Sequence, residues 1–77
     1  MKRRIEVNFF NGIEDVTRVC VIRESSTHTY THFFIYDKDA YGTEYDLYSG
    51  SNKDTAIRYM ETTGNMTIAD EEILKGV

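Results

Sequence analysis

The sequence predicts an α+β fold: a four-stranded antiparallel β-meander with one or two C-terminal helices packed on one face. Three observations predict it. An Asn11-Gly12 pair stands between two stretches rich in β-forming residues. Between residues 3 and 48 the apolar positions alternate so that three turns bring them to one common face. After Gly50 the apolar spacing changes from alternate residues to helical intervals.

The first two strands are expected at about 3–10 and 14–23. Asn-Gly suits the two positive-φ positions of a type I′ turn, the tightest hairpin connection. That turn sets Phe10 opposite Ile13, Val7 opposite Val16 and Ile5 opposite Arg18. A turn at Ser25-Ser26 leads to a third strand at about 28–36, with Ile22 opposite Thr29 and Cys20 opposite Thr31. The stretch Asp37 to Gly42 supplies a third turn, and the fourth strand covers about 43–48.

With these registers one face collects Ile5, Val7, Phe9, Val16, Cys20, Ile22, Phe33, Ile35, Tyr45 and Leu47. It reads as the core, with Arg18 as its one awkward member. The opposite face carries Phe10, Tyr30, Phe34, Tyr36 and Tyr48 among Arg4, Arg23, His32, Glu44 and Asp46, more aromatics than a plain solvent face requires.

Ser51-x-x-Asp54 resembles a helix N-cap, and Ala56, Ile57, Tyr59 and Met60 recur at helical spacing, which predicts a helix over about 52–63 stopped at Gly64-Asn65. Thr67-x-x-Asp70 opens a second, short helix over about 68–75, docked by Ile68, Ile73 and Leu74. A strand through Met66-Thr67-Ile68 is the alternative for this segment.

The chain has 77 residues, one cysteine and a formal charge of -4. That length suits a single compact domain, residues 1–77. One cysteine forms no internal disulfide, and no run of about 20 apolar residues offers a membrane span. Met1-Lys2-Arg3-Arg4 is basic but lacks the apolar core of a signal peptide, so a reducing, cytoplasmic setting is expected. The charge is uneven. Residues 1–36 hold five bases and four acids, a balance of +1, and residues 37–77 hold four bases and nine acids, a balance of -5.

No catalytic, cofactor or metal motif stands out. His28 and His32 are four residues apart on an expected strand, about 13 Å, too far for two ligands that each lie about 2 Å from one zinc. Cys20 falls on the core face and both histidines on the other, which separates any thiol–imidazole pair. Glu44 and Asp46 share a face about 7 Å apart, a spacing glycosidases use. A four-stranded sheet under one helix lacks the cleft to exclude water around them. Asp37-x-Asp39 with Glu44 does not meet the EF-hand pattern.

The expectation is therefore a small acidic, non-enzymatic protein-binding module. Asp37, Asp39, Tyr41, Glu44, Asp46 and Tyr48, with Tyr36 and Phe34, are the candidate contact residues: tyrosines as anchors, acids as steering charges toward a basic surface of a larger protein, such as a nucleic-acid-binding one. In general appearance (tiny, acidic, Tyr-rich, a sheet with helices) the chain resembles bacteriophage and mobile-element proteins that bind and block a host protein, anti-CRISPR proteins among them. The resemblance lies in composition and implies an inhibitor or regulator, of the DNA-mimic kind where acids occupy a nucleic-acid site. Two alternatives use the aromatic face: pairing with a second copy, or stacking single-stranded nucleic acid. The acidic balance disfavours the last.

Overall fold

The computed structural model describes residues 2–77; Met1, the first residue of the expected domain, lies outside them. Four strands, β1 (Lys2–Phe10), β2 (Asp15–Glu24), β3 (Thr31–Lys38) and β4 (Glu44–Gly50), are followed by two helices, α1 (Lys53–Glu61) and α2 (Ile68–Lys75). The strands form one antiparallel sheet in the order β1-β2-β3-β4, the expected meander. Both helices lie on the same side of it. Ile5, Val7, Cys20, Ile22, Phe33 and Ile35 from the sheet meet Ala56 and Met60 of α1 and Leu74 of α2 in one buried cluster.

The first hairpin is looser than a type I′ turn. Phe10 pairs with Asp15, and Ile5 with Cys20, so four residues form the loop instead of two. Gly12 has φ +97°, but Asn11 is not in the positive-φ region. Its side chain acts instead: Oδ1 accepts hydrogen bonds from the backbone N–H groups of Ile13 and Glu14, both at 2.9 Å. An Asx cap of this kind competes directly with the two-residue turn.

The second hairpin is also shifted. Ile22 pairs with Phe33 and Cys20 with Ile35. Ser25 organises the loop, its Oγ accepting from the N–H groups of Thr29 and Tyr30. His28 therefore lies in the turn, at φ 57°, and not on the third strand. Its ring stands 3.4 Å from Glu24 Oε2. Both shifts move the pairing by an even number of residues, so each side chain of β1, β2 and β3 keeps its expected face.

The third hairpin departs by one residue, and there the face changes. Ile35 pairs with Tyr48 but the next residue, Tyr36, pairs with Asp46, leaving Leu47 as a β-bulge. Tyr48 thereby joins the helix-covered face instead of the open one. Its ring stacks on Tyr59 of α1 at 5.9 Å, and its hydroxyl accepts from the N–H of Asn52. The ring passes across Gly50, where a Cβ would come within 2.9 Å of its Cζ.

Asn52, one residue later than expected, caps α1 by accepting from the Thr55 N–H at 3.0 Å. Thr67 caps α2 through the Asp70 N–H at 3.1 Å, as the sequence predicts, and the segment is a helix rather than a strand. Of the three residues expected to dock it only Leu74 is fully buried; Ile68 is 76% exposed. Lys53 Nζ reaches from α1 to donate to the carbonyls of Lys75 and Val77, closing the far end.

Arg18, awkward in sequence, joins the two layers. On the covered face its Nε and Nη2 donate to Oδ1 and Oδ2 of Asp37 at 2.7 and 2.9 Å. Its Nη1 donates to the Tyr59 carbonyl and to Thr62 Oγ1, both at 2.8 Å. The guanidinium also lies 5.0 Å from the Phe9 ring centroid.

Candidate functional site

The two helices leave one face of the sheet uncovered, and the register fixes what stands on it. Along β3 the alternate residues His32, Phe34 and Tyr36 project to this side, in line with Tyr30 of the preceding loop. They form an aromatic ladder. Tyr30 and His32 stack at 6.1 Å, and Phe34 and Tyr36 tilt together at 5.5 Å. The ladder is pinned by polar contacts. His32 lies 2.9 Å from the Tyr30 hydroxyl through one ring nitrogen and 2.9 Å from Ser49 Oγ through the other. Arg4 Nη2 donates to the Tyr36 hydroxyl at 3.1 Å.

Beside the ladder, Val19 is fully buried and Val21 partly so, although no element packs over them. Arg4 and Glu6 flank the same strip and pair with each other at 2.7 Å. That hydrogen bond raises the Arg4 guanidinium further above its ordinary range, and the nearby Tyr36 hydroxyl adds to the effect. A shallow groove of about 440 Å³ runs over Val21, Phe34 and Tyr36, rimmed by Lys2, Arg4 and Arg23.

The eight candidate contact residues separate in space. Phe34 and Tyr36 lie on the uncovered face, with Asp46 and Glu44 beyond them on β4. Tyr41 is 89% exposed at the turn. Asp37 and Tyr48 lie on the opposite face. Asp37 is spent on Arg18, and Tyr48 is packed against α1. Asp39 is also spent. Its Oδ1 accepts from the N–H groups of Tyr41 and Thr43, and its Oδ2 accepts from the Tyr45 hydroxyl at 3.3 Å. The negative charge raises the Tyr45 hydroxyl pKa. Two of the acids expected to be free at this turn, Asp37 and Asp39, are thus engaged within the chain, while strand pairing across β1, β2 and β3 brings Lys2, Arg4, Arg23 and Val21 together beside Phe34.

Cys20 is fully buried in the core, and burial pushes its thiol up to about 12 from 9.0. A group that holds its proton more tightly when folded loses stability as pH passes its unfolded value. Unfolding should thus become easier by about 1.4 kcal/mol between pH 8 and pH 10, and Cys20→Ala should remove that component. Urea titrations at the two pH values check it; an unchanged pH dependence in Cys20→Ala would show that the thiol is not its source.

Among the described residues no group of three or more His, Cys, Asp or Glu side chains is arranged to hold a metal ion. Among the described residues no helix is long and apolar enough to cross a membrane. No protein-family model, curated protein or solved structure matches the chain.

Proposed function

We propose that the protein is a non-enzymatic interaction module that works through the uncovered face of its sheet. The observation that carries this reading is the pinned aromatic ladder of Tyr30, His32, Phe34 and Tyr36 on a face that no helix covers. Aromatic side chains held in fixed rotamers lose little entropy on contact, and with arginine they are the residues that interfaces favour. The groove beside the ladder is open and shallow, suited to a macromolecular surface.

A narrower reading, a regulator or inhibitor that sets acids against a basic surface of a larger protein, draws support from Tyr41, Glu44 and Asp46. All three are exposed along the outer strand and its turn. Asp37 and Asp39 contribute little to it, because their carboxylates are engaged internally.

The test uses immobilised protein exposed both to a lysate of its source cells and to untagged chain. Phe34→Asp should abolish specific retention, whereas Arg58→Glu, on the exposed side of α1, should leave it intact. Retention that survives Phe34→Asp and fails in Arg58→Glu would move the interaction to the helical side. Circular dichroism of both variants confirms that they fold.

A further inference from the structure

The cross-strand pairs arrange the uncovered face in rows. Lys2, Arg23 and His32 form the first, and Arg4, Val21, Phe34 and Ser49 the second. Glu6, Val19, Tyr36 and Asp46 form the third, Asn8, Thr17, Lys38 and Glu44 the fourth, and Phe10 with Asp15 the last. The first two rows thus hold three cations (Lys2, Arg4, Arg23) and no acid. The other three hold four acids (Glu6, Asp15, Glu44, Asp46) and one cation, Lys38. The face as a whole is neutral, but its halves carry +3 and -3. Val21 and Phe34, the partly exposed apolar side chains of this face, lie where the halves meet, beside the buried Val19 and Tyr36.

A surface that is positive at one end, negative at the other and apolar between them is complementary to itself after a two-fold rotation about its centre. Such a rotation sets each basic end on the partner's acidic end and brings the two apolar strips together, which is the isologous arrangement of a closed dimer. Extended nucleic acid suits this face less well, since it would cross the acidic half with no cation to meet its phosphates except Lys38. A uniformly acidic or uniformly basic protein meets the same obstacle over half the surface.

Resting on the reading that the uncovered face is the interaction surface, we propose that its occupant is a second copy of this chain, packed face to face with strands crossed, about an in-plane two-fold axis near Val21 and Phe34 that lies across the diagonal from Lys2 and Arg23 on β1 and β2 to Glu44 and Asp46 on β4. The product is a two-sheet sandwich with both helical layers outside. Four strands about 4.8 Å apart and about eight residues long present roughly 500 Å² per copy. The roughly 1,000 Å² buried in total is near the lower limit for a specific contact, so the dimer is a reversible one. Its ends are charge-paired and exposed, so added salt weakens it.

The experiment is light scattering and sedimentation on the full chain, with two charge-reversed variants. Lys2→Glu with Arg23→Glu makes the basic end acidic; Glu44→Lys with Asp46→Lys makes the acidic end basic. Each variant alone should self-associate at least tenfold more weakly than the parent, because both of its end contacts then join like charges. An equimolar mixture of the two should associate again, since every end contact is then between opposite charges. Rescue in the mixture also shows that both variants fold. A parent chain that stays monomeric at about 1 mM, the weak end of measurable association, overturns the second-copy assignment. A dimer indifferent to both reversals overturns it too, and if that dimer also ignores Phe34→Asp, the uncovered face is not the interaction surface at all. A monomer that binds a thymidine oligonucleotide or a lysate protein through Phe34 overturns the second copy alone and leaves the face as the interface.

Discussion

Arg18→Ala should lower the free energy of unfolding by about 3 kcal/mol, a large part of the roughly 4–12 kcal/mol available to a chain of this length. The Arg18 and Asp37 side chains are only 13% and 19% exposed, and the contact is bidentate. Removing the arginine strands a poorly hydrated carboxylate and also cuts the bonds to the Tyr59 carbonyl and Thr62 Oγ1 that tie α1 to β2. Lysine is a poor replacement, because its single ammonium cannot match the fork geometry that serves two layers at once. Urea denaturation of Arg18→Ala, Asp37→Ala and the double variant gives the coupling. The double variant should lose about 1–3 kcal/mol less than the two single losses together, since no unpaired charge remains in it. Strict additivity would mean that the pair is no more than a surface contact.

Arg18 also shows what the sequence could and could not convey. Its place on the covered face follows from alternation. Its partners do not, since Asp37 lies 19 residues away and Tyr59 41 residues away along the chain. Alternation survived the hairpin shifts for a physical reason. Burial constrains which face a residue takes, so registers differing by two or four residues leave the same apolar set inside. The register itself depends on loop hydrogen bonds, from Asn11 Oδ1 and Ser25 Oγ, that periodicity does not encode. The β4 bulge is different because a single extra residue reverses the faces. Adjacent Leu47 and Tyr48, both partly buried against the core, were its trace in the sequence.

The proposed binding surface was legible to the same degree. Phe34 and Tyr36 fall on the open face by alternation alone. The acids nearby read as free charges because composition counts them without their partners, yet Asp37 and Asp39 are satisfied within the chain. The segregation of charge between the two halves of the open face requires four strands in register, and so a local reading of the sequence does not contain it.

Leu74→Ala should cost about 2–4 kcal/mol, and the loss should be concentrated in the C-terminal helix. Leu74 is the only fully buried residue of α2, which has eight residues and is too short to persist in water by itself. Its cap at Thr67 and the Lys53 contacts are exposed or partly exposed hydrogen bonds, each contributing on the order of 1 kcal/mol. Truncating Leu74 removes the one fully buried apolar side chain of α2, leaving the partly buried Met66 and Val77 at its ends, so α2 should open before the sheet does. Hydrogen exchange in the variant should show α2 amides losing protection while those of β2 and β3 retain theirs. Ile68→Ala is the contrasting case: at 76% exposure it should change stability by less than about 0.5 kcal/mol, although its apolar character suggests docking as strongly as that of Leu74. Equal effects from the two substitutions would mean that α2 is held by its whole apolar content and not by one residue, and uniform loss of protection across α2 and the sheet would make helix and sheet a single cooperative unit.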